Sequence, residues 1–365
     1  MPLNETLGAW SALFMLLAAM TYLVSFVAFA WDMASSSRTL RRAEESGRHE
    51  LVGAAAGSTA AQAGGATATA AVDEPADARA GAGTGSRGRG YRTSASSVLA
   101  EHVADPGMGY TGERRPAARV AVAVMVLAFA LHLAAVLARA VAAGRVPWGN
   151  MYEFCTTGAL VVAGVYLASL LFRDLRFVGT LVSGLVVIML CAATIGFPTP
   201  VGPLQPALQS WWLVIHVSIA VAASGVFTIT FAMAVLQLLQ ARRERALLAG
   251  ERTGMAFLGM VPSSQALENL SYRLNAVGFA FWTFTLAAGA IWADQAWGRY
   301  WGWDTKEVWT FVIWVVYAAY MHARATRGWT GTRSAWLSIV GYLCIIFNFT
   351  VVNTVFPGLH SYAGV

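Results

Sequence analysis

Runs of about twenty apolar residues recur along this chain from residue 8 to residue 355. In helix, a run of that length matches the hydrocarbon core of a bilayer, where backbone groups find no water and must bond within their own segment. Eight such runs are read, at 8–31, 117–139, 153–172, 176–196, 211–239, 272–293, 308–324 and 333–355. The expected fold is therefore all-α: a polytopic integral membrane helical bundle with about eight transmembrane helices. Composition agrees, since 57% of the 365 residues are hydrophobic and 12% charged, against about 25% charged in soluble domains. A water-soluble enzyme, a nucleic-acid-binding protein, a wholly disordered chain and a disulfide scaffold are excluded. Cys155, Cys191 and Cys344 stand apart in apolar stretches and read as small core residues.

Basic residues collect on the cytoplasmic side of membrane proteins. With the N-terminus outside, cytoplasmic connections hold 21 of the 25 basic residues, leaving Arg139, Arg145, Arg299 and Lys306 on the outer face. Both termini are thus expected to be extracytoplasmic. The first run lacks a basic leader and is followed by Arg38, Arg41 and Arg42, so it reads as a retained anchor rather than a signal peptide. Residues 32–116 are rich in Ala, Gly, Ser, Thr and Arg and read as a disordered cytoplasmic insert. The chain then divides into a transmembrane helix at 1–31, the insert at 32–116, and a membrane domain at 117–365. Pro262-Ser263-Ser264 is a helix-start signal ahead of the sixth run.

The segment 292–309, expected on the outer face, carries Trp297, Trp301, Trp303 and Trp309 among its last thirteen residues, interleaved with Asp304 and other charges. An interfacial belt explains tryptophan at headgroup depth. Interleaved charge and two glycines instead suit a large, planar, partly anionic ring lying against the backbone. His216, one turn after Trp211-Trp212, and His360, after Pro357-Gly358, fall at the same depth. A lone histidine at a helix end is an ordinary interfacial residue, but two imidazoles beside one aromatic shelf form the arrangement that holds haem iron axially. His322 near the inner end of the seventh run and His132 inside the second are further candidates, because ionisable groups at membrane depth are costly. Their depths do not match, and a ligand for His322 from another polypeptide is an equal alternative.

The run Trp301-Gly302-Trp303-Asp304-Thr305-Lys306-Glu307-Val308-Trp309, followed by Tyr317, Tyr320, His322 and Arg324, resembles the tryptophan-rich WWD signature of haem-handling proteins. More narrowly, the chain resembles the CcsA (ResC) family of system II cytochrome c biogenesis. Blocks around Pro147–Phe154, Leu208–Ser218 and Gly358–Gly364 extend the likeness over about 117–365. One departure is Thr305, where many members have proline. The resemblance implies that His216 and His360 are axial ligands of a haem b to be delivered, and that His322 ligates a haem within the membrane. His132 is this chain's one candidate for the other transmembrane ligand, which a ResB-like partner subunit would otherwise supply. It implies as further partners an apocytochrome c with a CxxCH motif and proteins of a thiol-reducing pathway, in a bacterial plasma membrane. Arg299 and Arg145, with Arg139, are suggested as haem propionate partners, since guanidinium pairs well with carboxylate; snorkelling interface residues are the equal alternative. Two other classes stay open: a bis-histidine haem oxidoreductase fed by quinol, and a solute transporter without haem.

Overall fold

The computed structural model describes residues 4–63, 107–110, 115–251, 253–326 and 329–360, with side chains of 39–63 aside. Among them there are nine α-helices and no strand. They are α1 (Glu5–Ala63), α2 (Pro116–Ala143), α3 (Met151–Ser169), α4 (Gly179–Cys191), α5 (Trp211–Leu248), α6 (Ser264–Trp297), α7 (Thr305–Ala325), α8 (Thr332–Phe349) and the short α9 (Val351–Val355).

Local chemistry sets their ends. Pro116 opens α2, where its missing N–H costs nothing, and Gly144 at φ 63° closes it in the left-handed conformation. Asn150, Ser210 and Ser263 each accept a hydrogen bond from a first-turn N–H of α3, α5 and α6. The Pro262-Ser263-Ser264 signal thus lies where the sequence puts a helix start. Asp304 and Glu307 form a reciprocal capping box on α7.

Among the described residues, seven helices are long and apolar enough to cross a membrane. The expected eighth, at 308–324, is α7, whose polar ends hold it below that mark. It nonetheless traverses the bundle. Its first residues meet His360 at one end, and at the other Arg324 pairs with Glu268, near the start of α6. The remaining difference is in the insert. The sequence places the end of the first span at residue 31, whereas α1 continues to Ala63, in keeping with an alanine-rich stretch of good intrinsic helix formers. Residues 107–110 are also placed, because Asp174 N–H donates to Met108 O (2.8 Å) and Tyr110 Oη to Leu170 O (2.6 Å). Residues 64–106 of the expected insert lie outside the described residues.

Among the described residues, four apolar clusters form, two of them large. Met15, Tyr22, Met125, Tyr166 and Leu190 join α1–α4, while Phe227, Trp282, Ile313, Tyr317 and Tyr342 join α5–α8. Polar side chains stitch helices together within each. Ser11 and Ser25 donate to Ala135 O and Ala121 O between α1 and α2, and Thr230, Asn275 and Ser338 form a chain through α5, α6 and α8. Such bonds average about 0.6 kcal/mol in a bilayer. The three cysteines are free thiols.

Candidate functional site

At the end of the bundle where α5 begins, α6 ends and α7 begins, two adjoining cavities of about 80 and about 120 Å³ share His216, Trp292, Lys306, Phe349 and His360. The two histidines come from the first turns of α5 and from the tail after α9, and they face one chamber. Trp292 is 2% exposed and sits against both: its ring lies 6.0 Å from that of His216, nearly parallel at 6°, and 5.5 Å from that of His360. Trp297 meets Trp292 edge-on at 4.7 Å and His360 at 4.8 Å. The indole Nε1 of Trp292 donates to Ala207 O at 3.3 Å, fastening it to the loop ahead of α5.

Each imidazole is oriented through the same nitrogen. His216 Nδ1 lies 3.0 Å from Thr285 O, and a carbonyl only accepts, so Nδ1 carries the proton and Nε2 keeps its lone pair. His360 Nδ1 lies 2.7 Å from Asp304 Oδ2, with the same consequence. Both rings therefore have Nε2 available as a metal ligand, each with an oxygen partner fixing the tautomer. Gly289 makes room for His216, since a Cβ there would come within 2.7 Å of its Cε1. Asp304 does three jobs: it caps α7, accepts from Leu359 N–H at 3.0 Å, and holds His360. The His360 hydrogen bond holds its carboxyl below the usual range.

Lys306 projects into the chamber, where its ammonium donates to Asn348 O (2.8 Å) and Asn353 Oδ1 (2.6 Å) and lies 4.7 Å over the Phe349 ring. Glu307 Oε1 and Asn348 Oδ1 in the lining are buried without a hydrogen-bond partner.

The other sequence candidates distribute unevenly. Trp301 and Tyr300 line the chamber, and Trp301 meets Trp303 edge-on at 5.8 Å. Trp303 itself is 75% exposed and holds a left-handed φ of 59°, unusual for a bulky residue. Trp309 turns away to pack on Phe347 at 4.3 Å. Arg299 is exposed and lies against Gly302. Arg145 and Arg139 are committed elsewhere. Both bind Glu153, which is fully buried, at 2.7 and 2.9 Å, and they also donate to carbonyls of Gly202 and Thr199. Sequence reasoning missed Glu153 as the partner of these two arginines, although it opens the same apolar run that Arg145 precedes.

His322 and His132 are not brought together. His322 is exposed near the far end of α7, one turn before Thr326. His132 is fully buried against Tyr22 of α1, ring centroids 5.7 Å apart, with both ring nitrogens lacking a partner.

A family model described as cytochrome C assembly protein matches residues 148–360, the stretch that holds every chamber residue. Among curated proteins, the cytochrome c biogenesis protein CcsA of Guillardia theta is 35% identical over 240 residues, covering 61% of this chain and 79% of the relative. Its namesake in Microcystis aeruginosa is 32% identical over 299 residues, covering 70% and 88%. With His216, Asp304 and His360 all inside the matched stretch, the chain belongs to the cytochrome c assembly family, as a multi-pass membrane protein of the CcsA type that acts in system II cytochrome c biogenesis.

Proposed function

We propose that this protein binds haem b and presents it at the extracytoplasmic face of a bacterial plasma membrane, for attachment to the CxxCH motif of an apocytochrome c. The observation that carries this reading is the pair His216 and His360, which face one aromatic chamber with both Nδ1 atoms held by oxygen acceptors. Bis-imidazole ligation through the two Nε2 atoms would hold the iron and yield when the acceptor's own histidine arrives. In the attachment, each thiol adds across a vinyl group. S–C and C–H bonds form while S–H and the carbon–carbon π bond break, with no net redox change. The chain's part is to hold and orient, worth much of a barrier when reacting groups are aligned, and no residue here forms a covalent intermediate.

The chamber, with cavities of about 80 and about 120 Å³, is below the roughly 300 Å³ at which ligand pockets begin, so loading requires Trp292 and the Gly298–Trp303 loop to give way. Lys306 is the nearest cation for a propionate, in place of Arg145, whose guanidinium is occupied by Glu153. The exposed position of His322 favours a second haem ligand from a ResB-like partner rather than from His132. In this reading both termini lie outside, and the stretch that begins at residue 32 lies on the cytoplasmic side. Reduced thiols on the acceptor would come from a thiol-reducing pathway.

The test co-expresses the chain with its partner and an apocytochrome, comparing haem spectra and maturation for wild type and for alanine at 216, 322 and 360. Loss of maturation at 216 and 360, partly restored by imidazole, is expected. Normal maturation in all three variants would overturn the proposal.

A further inference from the structure

Far from the His216–His360 chamber, at the end of the bundle where α2 begins and α3 ends, lies a cavity of about 620 Å³. Its walls are Val122 and Val126 of α2 with Leu167 and Leu171 at the end of α3, and its mouth is ringed by Arg115, Arg119 and Arg176. The groove opens sideways from the surface of the α1–α4 core, against which Val122 and Leu167 pack: Leu171 is 81% exposed and Val126 50%. From Arg115 to Val126 the helix rises about 16 Å, at about 1.5 Å per residue. A ligand here meets cations first and a hydrocarbon wall along the rest of its length.

The charges at the mouth do not cancel. Asp32 pairs with Arg115, and Asp174 pairs with Arg176 at 2.5 Å. Arg119, exposed on α2, has no anionic partner among the described residues. Arg115 adds an unmet donor, because its Nε is buried without an acceptor. Arg176 is positioned by Tyr110, whose ring lies 5.3 Å beneath the guanidinium. Among the described residues, three guanidiniums against two carboxylates leave one positive charge, together with a directional N–H donor, above an apolar trough.

We infer that this groove is a binding site for an anionic glycerophospholipid, its phosphate at Arg115, Arg119 and Arg176 and one acyl chain along Val122, Val126, Leu167 and Leu171. A phosphodiester carries the single negative charge the mouth lacks, and arginine binds phosphate oxygens through paired N–H groups. Basic pockets between transmembrane helices on the cytoplasmic side are where acidic headgroups dock. A zwitterionic lipid would bring its own cation to the mouth, and a free anion would leave the trough bare. The occupant would tie together α1, through Asp32, α2, and the α3–α4 turn, through Arg176. This inference does not depend on the haem reading.

The test uses the full chain, purified in detergent and stripped of lipid, with phosphatidylglycerol, phosphatidylcholine and inorganic phosphate added separately. Native mass spectrometry reads bound lipid, and thermal unfolding reads the stabilisation. Phosphatidylglycerol should bind at least tenfold more tightly than phosphatidylcholine, and phosphate alone should not raise the melting temperature. Arg119→Ala should remove most of that preference. Ala168→Phe, which fills the groove and leaves the arginines in place, should abolish the adduct without changing the melt of the lipid-free protein. Equal binding of the two lipids, stabilisation by phosphate alone, or wild-type phosphatidylglycerol affinity in both variants would overturn the inference.

Discussion

His360 Nδ1 lies 2.7 Å from Asp304 Oδ2, so the carboxylate that caps α7 also fixes the orientation of an imidazole 56 residues further along the chain. Asp304→Ala removes both functions. Loss of an oxygen partner behind a ligating histidine typically costs 10–100-fold in metal affinity, and loss of the cap costs about 1 kcal/mol of stability. Asp304→Asn keeps a capping oxygen but not the charge. Haem titration followed by absorption should therefore show weaker binding in both variants, with the alanine form melting lower than the asparagine form.

Acid should expose the same contact. The carboxyl is held below its ordinary value, chiefly by His360, while an unfolded aspartate titrates near about 3.9. A carboxyl lowered on folding contributes stability that is fully present above the unfolded value and is lost as pH falls through the folded one. The melting difference between wild type and Asp304→Asn should hold steady from pH 7 to about pH 4 and shrink below it. A difference that stays constant down to pH 3 would refute this coupling.

Gly289→Ala places a methyl carbon within 2.7 Å of His216 Cε1 and 2.9 Å of its Nδ1. The ring must shift, and its bond to Thr285 O weakens. Overpacking of this kind costs roughly 1–3 kcal/mol. Outer-site haem should fall in spectra of the purified variant and recover in part with added imidazole. An unaltered spectrum would show that His216 has slack the geometry does not suggest.

Glu153 is the counter-charge for two arginines that are almost entirely buried. Removing one partner of a buried ion pair costs roughly 3–5 kcal/mol, because a charge is left without compensation. Glu153→Ala should lower the melting temperature sharply. Replacing Glu153, Arg139 and Arg145 together with apolar residues should recover much of the loss, which a circular-dichroism melt would measure.

His132→Leu separates structure from chemistry inside the membrane. Both ring nitrogens are buried without partners, and exchanging an unsatisfied polar group for an apolar one of similar size is close to neutral or stabilising. The expected result is a melt equal to or above wild type, with an unchanged haem spectrum in the presence of the partner subunit. A lost haem band would restore His132 as a ligand.

Much of this arrangement was legible in the sequence, for identifiable reasons. Apolar runs mark spans because lipid offers the backbone no partners, so seven crossing helices could be read from hydropathy and α7 could be placed despite Lys306, Glu307, His322 and Arg324. The Trp-rich segment, His216 and His360 were visible as residue types at matched depth. Other features depend on how loops close. Nothing in the spacing of Arg139, Arg145 and Glu153 says that both arginines converge on Glu153 and on the loop at 199–202, and the position of Trp292 against both imidazoles follows from Ala207 O, 85 residues away. The apolar run of α1 was legible, but not that helix continues beyond it to Ala63. Low hydrophobicity argues against a packed core, whereas alanine favours helix regardless of packing.

The tail after α9 is dimensioned to a single length. Asp304 receives both Leu359 N–H and His360 Nδ1, and a Cβ at Gly358 would overlap its Oδ1. Three consecutive residues are therefore gauged against one carboxylate, like a calliper closed on a fixed width. Adding or deleting one residue between Phe356 and His360 would carry the imidazole off its partner, so a change in the tail's length should be as damaging as replacing Gly358 or His360.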